Sequence, residues 1–132
     1  MILLDTNTLL WWICVPQKLS RKTKKLIDQA SKEQILVSSI SVWEISLLIK
    51  KERVGFFIDA DHWLEQVESL PFIRFVPLDN KIAVQSVNLP DFSHKDPADR
   101  MIIATAREYG AILITSDKKI LNYEYVRTVS IN

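Results

Sequence analysis

Glycine, cysteine and surplus charge are scarce in this sequence, and each shortage closes off a class of function. Only two glycines occur, Gly55 and Gly110. A glycine-rich loop that lets backbone N–H groups cradle a phosphate cannot be assembled from them, which excludes the common mononucleotide and dinucleotide motifs. The single cysteine, Cys14, cannot form an intramolecular disulfide and suits a reducing cytoplasm. Its neighbours Trp11, Trp12, Ile13 and Val15 predict a buried structural thiol. A formal charge of +1 provides no global basic field, so nucleic-acid contact must rely on local patches. Long apolar runs are also missing. The best candidate, 35–49, is broken by Ser38, Ser39, Ser41, Glu44 and Ser46, well short of the roughly 20 residues a membrane helix needs. The opening Met1-Ile2-Leu3-Leu4-Asp5 has no basic stretch and meets a charge at once, unlike a secretion signal. The expectation is a cytoplasmic protein without membrane contact.

What is present is ordinary globular material: 132 residues, 48% hydrophobic and 25% charged, enough for one domain, 1–132, with one core. Apolar runs at 2–4, 35–38, 75–78, 111–115 and 126–131 read as strands. Amphipathic stretches at 8–14, 20–31, 42–51, 62–69, 79–87 and 97–109 read as helices. The last is the best marked, with Asp96 and Pro97 at its start and Gly110 past its end. Strands alternating with helices predict an α/β fold around a mainly parallel sheet.

The acidic residues fall in a pattern within that frame. Asp5 follows the first strand, Glu44 lies in the first turn of the helix after the second, Asp96 and Asp99 open the helix 97–109, and Asp117 follows the strand 111–115. Strand C-termini and the N-termini of helices that follow them share one edge of a parallel sheet, where ligands bind. Two carboxylates about 5 Å apart repel by roughly 3 kcal/mol at an effective dielectric near 20. Several together must take up protons or hold a cation. Oxygen donors suit Mg²⁺ or Mn²⁺, and such ions assist phosphodiester hydrolysis. Each acid also has a structural reading. Asp96 is a helix cap, Asp99 favours the helix dipole, Ser41 to Glu44 spells a capping box, and Asp117 or Asp5 can close a turn.

Asp5-Thr6-Asn7 after the first strand, Glu44, the run His94-Lys95-Asp96-Pro97-Ala98-Asp99-Arg100, and Thr115-Ser116-Asp117 together resemble a PIN-domain nuclease. The likeness is to the VapC-type toxins of type II toxin–antitoxin pairs, and it extends from the first strand to Leu121 and Tyr123. It implies a three-layer α/β/α sandwich and Mg²⁺- or Mn²⁺-dependent endoribonuclease activity. It further implies a cognate antitoxin and a homodimer. By position Asp5, Glu44, Asp99 and Asp117 correspond to the family's catalytic metal-binding quartet. Asp96 is an extra acid that serves as a ligand or only as a cap. Thr6, Asn7 and Ser116 would support the quartet by hydrogen bonds. Ala98 departs from a position where this branch often carries an aromatic residue.

RNA contacts are expected from Lys95, Arg100, Lys118 and Lys119, which flank the acids. Arg100 would bind phosphate or pair with an acid, while Arg21, Lys22, Lys24 and Lys25 read rather as a solvated helix face. His62 and His94 lack metal-ligand spacing, which argues against catalysis by histidine alone. Trp43 and Trp63 are expected in the core or against a partner. Trp11 and Trp12 cannot both turn inward from one helix, so at least one is expected at an interface. A catalytically silent PIN scaffold that binds RNA or protein is the alternative function. A phosphohydrolase of small esters fits less well, since its usual Asp-x-Asp pattern is broken by Asn7.

Overall fold

The computed structural model describes residues 1–52 and 59–132. Its centre is a five-stranded, wholly parallel sheet in the order β3-β2-β1-β4-β5. The strands are β1 (Ile2–Leu4), β2 (Ile35–Ser38), β3 (Ile73–Val76), β4 (Ile112–Thr115) and β5 (Thr128–Ser130). The helices are α1 (Thr6–Cys14), α2 (Arg21–Ala30), α3 (Ser39–Lys50), α4 (Ala60–Glu68), α5 (Asn80–Val87), α6 (Pro97–Tyr109) and α7 (Lys118–Leu121).

Alternation along the strands separates two cores. Leu3 aligns with Leu36 and Leu113, and all three enter one face with Ile82, Ile102, Ile103 and Ile120 of α5–α7. Ile2 and Leu4 align with Ile35, Val37 and Ile114 on the other face, against Leu9, Ile27, Ile45 and Trp63 of α1–α4. A period of two therefore feeds both covered faces of a parallel sheet, and the three-layer α/β/α arrangement follows. Order along the sheet reverses at β1, whose neighbours are β2 and β4. The carboxyl ends of β1 and β4 thus lie at the switch where α/β folds bind ligands.

Several boundaries differ from the sequence reading. The third strand is 73–76 rather than 75–78, and the last is 128–130. The third strand's position follows from its pairing with β2, which aligns Ile73 with Ile35 and leaves Leu78 exposed. The capping box at Ser41 is not formed. Ser38 caps α3, accepting from the N–H of Ile40, because the chain turns from β2 straight into the helix. Ser41 is buried inside that helix, and Glu44 lies in its second turn. The helix α7 was not foreseen; Asp117 caps it with bonds from the N–H groups of Lys119 and Ile120. At α6 the expectation is met: Asp96 caps the start, Pro97 follows, and Gly110 closes the end at φ 62°.

Trp63 is fully buried, whereas Trp43 is 57% exposed, so the core reading of Trp43 is overturned. Trp11 and Trp12 are half-buried at the core's margin, Trp11 beneath Lys18 and Trp12 against Phe72. Cys14 is also half-buried rather than enclosed, and burial raises its thiol pKa.

Candidate metal centre

The switch point gathers the acids. Asp5 is the residue after β1 and the N-cap of α1, and it is only 8% exposed. Its Oδ1 accepts from the N–H of Thr8 at 2.9 Å, and its Oδ2 accepts from the Thr115 hydroxyl at 2.5 Å. Thr115, the last residue of β4, also accepts from the N–H of Asp117 at 3.0 Å. One buried hydroxyl therefore ties the two acid-bearing turns together.

Glu44 reaches the same edge from α3. The Thr6 hydroxyl, which carries one proton, donates to Glu44 Oε1 at 2.5 Å, with Ser41 Oγ 3.0 Å from that hydroxyl. Among the described residues, Glu44 Oε2 has no hydrogen-bond partner. Asp99 enters from the first turn of α6, where its Oδ2 lies 2.7 Å from His94 Nε2. His94, Asp99 and Asp117 each offer one donor atom, all within 4.8 Å of one another.

The acids feel one another. Burial raises the pKa of Asp5, Glu44 and Asp99, and neighbouring carboxylates raise each further: Asp117 acts on Asp5; Asp99, Asp96 and Asp5 on Glu44; Asp96 and Asp117 on Asp99. Hydrogen bonds from Thr115, Thr6 and His94 respectively oppose the rise. Buried and half-buried carboxylates held in their neighbours' repulsion are a setting that a divalent cation relieves. The donor set fits one. Oxygens suit Mg²⁺ or Mn²⁺, and an imidazole nitrogen tilts the preference toward Mn²⁺.

The supporting residues differ in part from those expected. Thr6 bonds Glu44, but Asn7 is exposed, and the hydroxyl that orients Asp5 belongs to Thr115 rather than Ser116. Asp96 is exposed and acts as the cap, its Oδ1 accepting from the N–H of Asp99 at 3.1 Å. Spacing argues against His94 as a ligand, yet the loop before α6 folds back and carries it to Asp99.

Arg100 is the clearest correction. Four of its five guanidinium N–H groups are taken by backbone carbonyls, and among the described residues it pairs with no acid. Nε donates to Ser86 O, Nη1 to Phe92 O and His94 O, and Nη2 to Val87 O, at 2.8 to 3.2 Å. The arginine staples the loop that presents His94. Lys95, Lys118 and Lys119 are exposed near the acids. Arg21, Lys22 and Lys25 instead line a separate groove with Leu26 and Val129, and exposed Lys24 shares their helix.

The sequence pattern of the PIN domain matches residues 2–124. The chain belongs to the PIN-domain family. Ribonuclease VapC22 of Mycobacterium tuberculosis is 34% identical to this PIN domain over 130 residues, which is 98% of this chain and 97% of that protein. Among solved structures, a DNA-bound VapBC from Salmonella typhimurium superposes with a TM-score of 0.72 at 18% identity, over 100% of both chains. A toxin–antitoxin complex from Klebsiella pneumoniae gives a TM-score of 0.69 at 22% identity, over 100% of this chain and 98% of that one. At those identities the two structures speak for the fold, and the PIN sandwich described above agrees with them. No helix among the described residues is long and apolar enough to cross a membrane.

Proposed function

We propose that this PIN domain, residues 1–132, is a Mg²⁺- or Mn²⁺-dependent endoribonuclease and the toxin of a type II toxin–antitoxin pair. The observation that carries the reading is the meeting of Asp5, Glu44, Asp99 and Asp117 at one sheet edge, where burial and neighbouring carboxylates push up the pKa values of Asp5, Glu44 and Asp99. Similarity to a ribonuclease VapC22 along nearly the whole chain supports the substrate. The neighbouring toxin–antitoxin complexes support a cognate antitoxin partner. The homodimer and the cytoplasmic setting follow from the same resemblance.

Asp99 and Asp117 would hold the cation, with His94 as a nitrogen donor and Asp5 and Glu44 completing the negative field. When bound, a divalent cation there offsets phosphate charge and lowers the pKa of an attacking water. The chain's own contribution is placement. Thr115 fixes Asp5, Thr6 fixes Glu44 Oε1, and Arg100 fixes the loop of His94. Glu44 Oε2, without a hydrogen-bond partner among the described residues, takes the water's proton.

Structured RNA incubated with the protein in Mn²⁺ or Mg²⁺ is expected to be cut, and to stay intact in chelator or with Asp99→Asn. Cleavage that persists in either condition overturns the metal mechanism. Growth arrest on expression, relieved by Asp5→Ala, tests the toxin role; equal growth of cells making either form removes it.

A further inference from the structure

Beside the acids lies an open cleft of about 740 Å³, within the roughly 300–1,000 Å³ of small-ligand sites. His94 belongs to its lining as well as to the donor cluster, so the cleft opens onto the place where a phosphodiester would be cut. Two aromatic rings line the cleft. The rings of Phe92 and Tyr123 lie 4.4 Å apart between centroids. The Tyr123 hydroxyl donates to Pro90 O at 2.5 Å, and the Arg100 guanidinium covers Phe92 at 5.6 Å. Those rings are held before any ligand arrives, which lowers the entropy cost of binding.

The cleft's charge is informative. Lys95 and Lys119 are balanced by Asp91 and Asp96 in the same lining, so the interior favours a neutral, flat, hydrogen-bonding group over a bare phosphate. Asn122, exposed at the C-terminal cap of α7, brings an amide with both donor and acceptor to this lining. The lysines are exposed at the same place and can meet the phosphates that join one nucleotide to the next.

We propose that this cleft takes the base of the RNA nucleotide next to the scissile phosphate, with Asn122 reading its edge and Lys119 holding the backbone. The proposal rests on the ribonuclease reading for its substrate, but it makes a separate claim: the cleft sets base preference. Anisotropy titrations of the full chain with short single-stranded oligomers of rA, rC, rG and rU, in chelator, test it without cleavage. The wild type is expected to bind one homopolymer at least about tenfold tighter than the weakest. Asn122→Ala should compress that spread to about threefold or less. Lys119→Ala should weaken all four similarly and reduce the salt slope by about one phosphate's share. Melting curves check that both surface variants are folded. No preference in the wild type, or one that folded Asn122→Ala leaves intact, overturns the proposal. Mapping cleavage in Mn²⁺ keeps the two readings apart. Absent cleavage with an Asn122-dependent preference would remove the nuclease and leave the cleft, whereas cleavage without that preference would do the reverse.

Discussion

The cleft beside α7 and the groove beside α3 meet at Asp96, which lines both, yet they are made of different chemistry. The first carries lysines, aspartates, an asparagine and the edge of His94. The second, about 550 Å³, is walled by Ile40, Trp43, Leu47, Leu48 and Met101, with Glu44 on its lining. An apolar wall cannot replace the water that a phosphate or base edge gives up, so a nucleic-acid strand is better accommodated on the α7 side. Ala98 contributes to the apolar groove, where the small side chain leaves open space that an aromatic residue would fill. The acids therefore sit on a boundary, with polar recognition on one side and hydrophobic surface on the other.

Removing a charge on that boundary should abolish what the hollows share. Asp117→Asn is expected to lower kcat/KM for RNA by more than about a hundredfold, beyond the roughly 10–100-fold typical of groups that only orient ligands. Retained activity would show that the boundary is not the reaction centre. His94→Ala, which touches the polar side alone, should cost about 10–100-fold, more in Mn²⁺ than in Mg²⁺ because a nitrogen donor is lost. Calorimetric titration of each ion into the protein reads that difference without any turnover.

Arg100→Ala should destabilise the protein by roughly 2 kcal/mol in denaturant unfolding, because carbonyls at Ser86, Val87, Phe92 and His94 lose a charged donor. Lysine should not restore it, since one ammonium cannot span that fork. Unchanged stability would mean that the cleft's loop holds itself in place.

A smaller effect concerns pH. Asp5, Glu44 and Asp99 have folded pKa values above their ordinary ones, so the folded chain binds more protons than the unfolded one in that window. Metal-free stability is therefore fully present below the ordinary carboxylate range and falls as pH rises through the raised values. Tm in chelator should decline across that range, less steeply for Asp99→Asn, and Mn²⁺ should restore it. A Tm that climbs there in wild type and variant alike would contradict the crowding of acids. The smallest change is expected from Trp43→Ala, which should leave the choice of cleavage site as it was; a shifted site would place RNA in the apolar groove.

Much of this arrangement is written in local signals. Asp96, Pro97 and Gly110 bracket α6 through backbone chemistry that needs no neighbours, and paired apolar runs at 2–4, 35–38 and 112–115 declare covered strands. Asp5, Asp96, Asp99 and Asp117 were legible because each stands at a strand end or helix start, whereas Glu44 lies one turn further into its helix. His94 was not, since it lies five positions before Asp99 across a helix start, and only the fold-back of its loop makes them partners. Thr115 and Ser116 are adjacent hydroxyls that sequence alone does not rank. Arg100 follows an acid and looks like a phosphate ligand until the loop carbonyls close around it. The start of α3 moved from Ser41 to Ser38 because pairing of β2 with β1 and β3 decides where the strand ends.

Sequence by itself determined the α/β layering and the places where carboxylates enter, because periodicity, caps and turn residues act over a few neighbouring positions. Tertiary structure decided which atoms face the centre. A hydrogen bond such as Thr115 to Asp5, 110 positions apart, depends on strand order and loop path, and neither is encoded within reach of either residue.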